Sequence, residues 1–281
     1  NISWGNDYVF NNANTYYISV AIFSDTRFVI TYNDYGGGND GTAIIGEITG
    51  TEILFGNESD FRNSVSYNSV AVLNDSTIVV AYNETDVSAS GSVRIGSVVG
   101  NSITSWVAEA QFYNNNIHYI DITALNSTKF VIVYSMQNAS DHLGKAIIGT
   151  INGSTITLGN ETLMNNSVSN NCSVSAFSDS LFIVAYRDEG NSDKGTVRVG
   201  NVNGTAINWN AANIFHTAST SQTDVAVLSD TLFTVTYSDS DDQTGKCKTG
   251  RLSGTSIDWY DETKFTTSDP VFNTILTLSS T

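Results

Sequence analysis

The chain has 281 residues and sets 12 Lys and Arg against 28 Asp and Glu, a formal net charge of −16. Its few cations are scattered, which excludes the clustered Lys and Arg that nucleic acid or an anionic membrane surface requires. No apolar run approaches the roughly 20 residues that cross a bilayer, so no membrane span is expected.

In chain order, the first expected element is ISWGNDYVF, Ile2 to Phe10, a strand of the type called D below. SVAIF (Ser19 to Phe23) follows as strand A, and a Ser-Asp-Thr turn leads into strand B, RFVITY (Arg27 to Tyr32). A polar loop ending at Gly41 precedes strand C, TAIIGEI (Thr42 to Ile48). The tight turn TGTE (Thr49 to Glu52) then opens strand D, ILFG (Ile53 to Gly56), which continues towards Phe61. Val, Ile, Phe, Tyr and Thr fill the strands, while Gly, Asn, Asp and Ser fill the connections. No segment keeps the 3.6-residue apolar stripe of a helix.

This order recurs about every 51 residues to the end of the chain. The Tyr closing strand B falls at Tyr32, Tyr82, Tyr134, Tyr186 and Tyr237. A large apolar residue recurs at Trp4, Phe55, Trp106, Leu158, Trp209 and Trp259, and a second at Phe10, Phe61, Phe112, Met164, Phe215 and Phe265. Glycines mark Gly46, Gly96, Gly149, Gly200 and Gly250, then Gly50, Gly100, Gly153, Gly204 and Gly254. Several independent positions in one register establish an internal repeat.

Strand B sends Phe28, Ile30 and Tyr32 to one face, and Val29 and Thr31 to the other. Both faces are largely apolar, so both must be covered. Small antiparallel sheets covered on both sides and repeated along a chain describe a β-propeller of four-stranded blades; a β-solenoid, with its shorter repeat, is the competitor. The expected fold is therefore all-β, one domain over 1–281. Residues 1–15 are strand D of a closing blade, and 16–62, 63–113, 114–165, 166–216 and 217–266 are five full blades. Residues 267–281 are the first strand of a sixth.

The ends do not complete that sixth blade. Phe272 to Thr281 supplies a strand A and stops at its turn, so strands B and C are missing. Missing blades in a longer protein, strands donated by another chain, and an open array are the three readings, with the first preferred. The latter two give exposed β-edges through which copies can self-associate. Asn1 reads as the start of a processed chain or an excised fragment. The Asn, Ser and Thr content with scarce Lys points to an extracellular or cell-surface setting.

Asn-x-Ser/Thr occurs at Asn1, Asn57, Asn74, Asn83, Asn126, Asn138, Asn152, Asn160, Asn165, Asn171 and Asn203. In a chain this rich in these residues many arise by composition. Asn74 and Asn126 fall in A–B turns, Asn152 and Asn203 in C–D turns, and Asn83 and Asn138 in B–C loops, all expected to be exposed and open to N-linked glycans. The B–C loops Asn33 to Gly41, Arg187 to Gly195 and Ser238 to Gly245 are acidic. Calcium is a candidate there, but none matches the DxDxDG loop with its distal Glu, so solvated loops are the preferred reading and no cofactor is expected.

Catalytic signals are sparse. His118, His142 and His216 hold different positions in different repeats, and no Walker loop, GxSxG elbow or dinucleotide fingerprint is present. Asp121 and Asp224 replace the Ser19, Ser69 and Ser173 type at one strand A position. If strand A lines a central channel, these two carboxylates face it; glycosidases use such pairs, and polar channel residues are commoner. Trp4, Trp106, Trp209 and Trp259 share a slot with Phe55 and Leu158, which marks a packing position rather than a sugar platform. Cys172 and Cys247 make no disulfide framework, and a single bridge between them stays open.

The pattern VAxxSDTxFVVxYxD…GTxxxGxxxGTxIxxG, carried by residues 20–55 and their copies, resembles tandem repeats of large secreted or surface proteins of microbes. That resemblance implies an extracellular scaffold or adhesion role, although fold alone does not fix function. The DxDxDG loops of integrin-type blades and the Asp-box of sialidases are absent. The leading expectation is a glycosylated, non-catalytic structural or adhesive surface module, a candidate subunit of a surface fibre. A lectin-like carbohydrate-binding propeller comes second and a glycoside-processing enzyme third.

Overall fold

The polar turns that punctuate the sequence are built by their own side chains. Ser24 accepts the Thr26 N–H at 3.4 Å, Asn74 the Ser76 N–H at 3.0 Å, Asn126 the Thr128 N–H at 2.9 Å and Ser178 the Ser180 N–H at 3.3 Å. This two-residue reach of a Ser or Asn oxygen makes the A–B hairpin turn a local decision. In the C–D turns only the glycine takes a positive φ, 64° at Gly50 and 60° at Gly153, the pattern of a type II′ hairpin.

A computed structural model of the chain describes residues 5–86, 89–136, 142–268, 270, 274–275 and 277. Repeat one comprises β1 (Thr15–Ser24), β2 (Arg27–Asp34), β3 (Asp40–Thr49), β4 (Glu52–Phe55) and β5 (Ser59–Arg62). Repeat two comprises β6 (Val65–Asn74), β7 (Thr77–Glu84), β8 (Ser90–Val99) and β9 (Ser102–Tyr113). Repeat three opens with β10 (Ile117–Asn126), β11 (Lys129–Met136), β12 (Leu143–Asn152) and β13 (Thr155–Leu158). β14 (Thr162–Ser178) ends repeat three and begins repeat four, which continues with β15 (Leu181–Asp188), β16 (Lys194–Asn203) and β17 (Ala206–Trp209). β18 (Asn213–Val227) likewise ends repeat four and begins repeat five, followed by β19 (Leu232–Asp239), β20 (Thr244–Ser253) and β21 (Ser256–Lys264).

Among the described residues all pairings are antiparallel. Repeat one forms a five-stranded sheet and repeat two a four-stranded sheet, whereas β10 to β21 form one of twelve strands. The merging follows from β14 and β18, 17 and 15 residues long, which pair with one repeat at their start and with the next at their end. Separate four-stranded sheets were the expectation; the unbroken D-to-A passage joins three of them. Among the described residues the only helical turn is Glu189–Asn191, and no helix is long and apolar enough to cross a membrane.

The chain divides into two compact units, residues 1–116 with 151–156, and residues 117–150 with 157–281. In the first, Val29, Ala43, Ile45 and Phe61 of repeat one pack on Val70, Ile78, Val80 and Tyr82 of repeat two. In the second, repeat three meets repeat four through Val131, Val133, Ile148 and Met164 against Val174, Phe182 and Tyr186. Repeat four meets repeat five through Ile183, Val197 and Phe215 against Phe233, Val235 and Tyr237. Strand B is thus covered on both faces, each large side chain contributing about 1.5–3 kcal/mol. The recurring pairs fit one slot: Phe10 lies 5.2 Å from Tyr32, Phe61 5.3 Å from Tyr82 and Phe215 5.0 Å from Tyr237, ring centre to ring centre. Trp106, Trp209 and Trp259 join the same cores, as the packing reading expected. Trp4 lies outside the described residues.

The strand C glycines leave room for the strand B phenylalanine rings. A Cβ on Gly149 would stand 2.1 Å from Phe130, and one on Gly200 2.3 Å from Phe182.

A second device recurs along the A strands. Tyr17, Tyr67, Tyr119, Asn171 and Gln222 adopt φ of 50°, 46°, 49°, 51° and 51°, and the pairing register slips at each. These bulges put non-glycine residues in the left-handed region, at about 1–3 kcal/mol each. Partners offset the cost: Asn68 donates to the Tyr17 carbonyl at 2.8 Å, and Thr223 donates to that of Asn171.

Candidate functional site

Features present in every repeat belong to the scaffold, so a functional site is sought where repeats differ. Just beyond four of the five bulges, a strand A side chain accepts a backbone N–H from the following repeat. Ser19 takes Val70 at 3.2 Å, Asp121 takes Val174 at 2.8 Å, Ser173 takes Val225 at 3.3 Å and Asp224 takes Ile275 at 2.7 Å. The structure therefore places Asp121 and Asp224 in a ladder that serine completes elsewhere. Asp224 also accepts from Ser173, Thr274 and the Val225 N–H. Burial raises its pKa above the ordinary carboxylate value against the pull of those four donors.

The strand B tyrosines share a partner that the sequence reading missed. Tyr32 donates to Glu58 at 2.6 Å, Tyr134 to Glu161 and Tyr237 to Glu262; Glu109 faces Tyr82 at longer range. Burial and these carboxylates push the phenols of Tyr32, Tyr82 and Tyr237 well above their ordinary value, which keeps them protonated donors. The readable signal was a Glu 25 to 27 residues after the Tyr, three before the recurring Phe or Met. Repeat four breaks the rule with Ala212.

Two clusters exceed this common pattern. In the first unit an open cleft of about 400 Å³ is lined by Asp60, Phe61, Arg62, Asn63, Asp86 and Arg94. β5 carries Arg62 to the end of β7, where its guanidinium lies 2.9 Å from buried Glu84, 3.5 Å from Asp86 and 4.0 Å from Glu109. Arg94 on β8 stands 3.9 Å from Glu109 and donates to the Phe61 carbonyl. Burial opposes the charge on Arg62, but Glu84, Glu109 and Tyr82 outweigh it and raise its pKa. Glu84 and Glu109 meet different nitrogens of one guanidinium, so their oxygens are no more than about 9 Å apart, below the upper limit of roughly 9.5 Å for paired glycosidase carboxyls.

In the second unit, Lys246 lies 2.6 Å from Asp239, 3.1 Å from Glu262 and 3.2 Å from Asp242, and His216 lies 3.1 Å from Asp239. Burial pulls Asp239 and Glu262 upward; the hydrogen bonds of Lys246 to both, and of Tyr237 to Glu262, win and hold both low. Asp242, bonded by Thr244, Lys246 and Lys264, is lowered too. The acidic loop Ser238 to Gly245 is thus neutralised by lysines, and in Arg187 to Gly195 Arg187 pairs with Asp193 at 2.9 Å. Among the described residues no group of three or more His, Cys, Asp or Glu is arranged to hold a metal.

The sequons divide by exposure. Asn57, Asn74, Asn152, Asn160 and Asn203 are exposed, whereas Asn126, Asn165 and Asn171 are half-buried. Asn83, expected on an open loop, is instead buried at 3% exposure because it donates to Ser66 and Asn116. Asn138 lies outside the described residues. Cys172 and Cys247 are free thiols, the first buried.

No family model matches the chain, and no curated protein matches its sequence. Solved structures do share its fold. A mutant NanB sialidase from Streptococcus pneumoniae is similar at TM-score 0.60 and 8% identity, over 91% of this chain and 61% of its own. A microbial sialidase, Hadza Hz136, gives 0.56 and 11%, over 89% and 58%. A structure from a study of two prolyl endopeptidases gives 0.51 and 10%, over 84% and 32%. The chain spans about three-fifths of these sialidases and a third of the peptidase. At such identity the likeness establishes a β-propeller-like all-β fold. It also runs against the expectation of a non-catalytic structural or adhesive module, because the proteins sharing this fold include sialidases and a prolyl endopeptidase, which are enzymes.

Proposed function

We propose that the chain is part of a glycoside-processing enzyme, built on a propeller-like scaffold of five complete 51-residue blades and strands of a sixth. The observation that carries this reading is the cleft lined by Arg62, beside which that guanidinium gathers Glu84 and Glu109 with their oxygens no more than about 9 Å apart. Glu109, the more exposed carboxylate, is placed for proton transfer with a glycosidic oxygen. Glu84, buried behind Arg62, adds a fixed negative charge that favours the positive charge developing on the sugar ring. The similarity to sialidases supports a glycosidic substrate. The exposed sequons Asn57, Asn74, Asn152, Asn160 and Asn203 support an extracellular setting in which they carry glycans.

A panel of 4-methylumbelliferyl glycosides, sialosides included, tests it. The purified chain turns over at least one member, and Glu84→Gln loses that turnover while keeping its circular dichroism. Turnover of none refutes the reading.

A further inference from the structure

Repeat four lacks the Glu that the other four repeats set against their strand B tyrosine. In four repeats a Glu stands before the recurring Phe or Met and faces the strand B tyrosine: Glu58, Glu109, Glu161 and Glu262. Ala212 occupies that place in repeat four and is exposed. Its tyrosine, Tyr186, is fully buried, and its hydroxyl has no hydrogen-bond partner among the described residues. A buried hydroxyl left unpaired costs about as much as a lost hydrogen bond, which makes this an unmet donor rather than a neutral detail.

The neighbouring cation is unmatched as well. Arg198 on β16 holds the register of Arg94 on β8 and Lys248 on β20, whose cross-strand partners are Glu109 and Glu262. Where Arg94 stands 3.9 Å from Glu109, the corresponding place opposite Arg198 holds Ala212, which carries no carboxylate. Its guanidinium is fixed by the Asn210 carbonyl at 2.8 Å and the Met164 carbonyl, and it lies 5.5 Å from the Trp209 ring. Val197 pairs with Asn213, and continuing that register sets Arg198 opposite Ala212, the place from which Glu262 meets both Lys248 across the strands and the Tyr237 hydroxyl. Asp188, engaged by Asn165 at 2.9 Å, is the nearby negative charge and favours a monoanion over a dianion.

We infer that the position above Ala212 is a subsite for the carboxylate of a small monoanionic ligand, which accepts from the Tyr186 hydroxyl and the Arg198 guanidinium where the other repeats supply their own Glu. Two sources share that chemistry: a free short-chain carboxylate, and the carboxylate of a sugar acid. The inference uses only residues of the second unit and does not rest on the proposed hydrolase activity.

Ligand-observed NMR with acetate, glucuronate, glucose and phosphate tests it on the whole chain. Saturable binding of acetate or glucuronate, with glucose and phosphate inert, is expected. Glucuronate tighter than acetate assigns a sugar acid, and the reverse assigns a free carboxylate. Ala212→Glu supplies the missing group, abolishes binding and raises the melting temperature. Tyr186→Phe weakens binding about tenfold without lowering the melting temperature, the effect of one hydrogen bond to a charged group. Absence of acetate and glucuronate binding, equal binding of phosphate, or binding that Ala212→Glu and Tyr186→Phe both leave unchanged overturns the inference.

Discussion

The Ser173 hydroxyl accepts the backbone N–H of Val225 at 3.3 Å, a bond between two residues 52 positions apart that ties repeat four to repeat five. Asp224 does the same for Ile275 with a carboxylate. Serine and aspartate are therefore interchangeable here in geometry but not in solvation. Asp224→Ser should keep the Ile275 bond and lower stability by less than about 1.5 kcal/mol, whereas Asp224→Ala should cost about 2–3 kcal/mol by stranding several donors. Urea denaturation of the two variants checks the order.

The Tyr–Glu pairs make opposite predictions in two repeats. Tyr32→Phe removes a 2.6 Å bond to Glu58 and should cost about 1–2 kcal/mol. Tyr186→Phe removes a hydroxyl without a partner among the described residues and should change stability by less than about 0.5 kcal/mol. Equal losses in chemical denaturation would show that the pairs do not stabilise the fold.

Acid should loosen repeat five. Asp239 and Glu262 have folded pKa values below their unfolded ones, so their stabilisation is complete above about pH 4 and is lost as pH falls through the folded values. Asp224 is raised, so it works the other way: its protonation on acidification favours the folded chain. The melting temperature should fall below about pH 4, and Lys246→Met should lower it at neutral pH and flatten the acid slope. An unchanged slope in that variant would remove Lys246 from the account.

Glycines at two positions of one hairpin should respond differently. Gly149→Ala drives a Cβ into the Phe130 ring and should cost about 2–3 kcal/mol, partly restored by Phe130→Leu. Gly153→Ala has open space but a φ of 60°, and should cost only about 1 kcal/mol with no rescue from Phe130→Leu. Thermal melts of the four variants decide it.

Beside the cleft, Glu109→Gln should lower turnover of the active glycoside by about 10²-fold or more. Arg62→Met should act on both carboxylates and reduce kcat and raise KM together, since it holds Glu84 at 2.9 Å. Steady-state kinetics on the substrate found in the panel supplies the measurement.

Much of this was readable without coordinates. The hairpin turns, the covered faces of Val29 and Tyr32, and the packing slot of Trp209 follow from local rules: what a two-residue turn requires, and which side of a strand a residue takes. The same rules misplaced Asn83, because its neighbours Ser66 and Asn116 arrive from other segments.

Sequence alone determined the repeat, its strands and its turns, since each depends on residues within a few positions of one another. Tertiary structure decided which charges meet: Arg62 with Glu84, Lys246 with Asp239 and Glu262, Tyr32 with Glu58. Electrostatic partners are chosen by distance in space, and spacing along the chain leaves that distance unspecified until the sheets have packed.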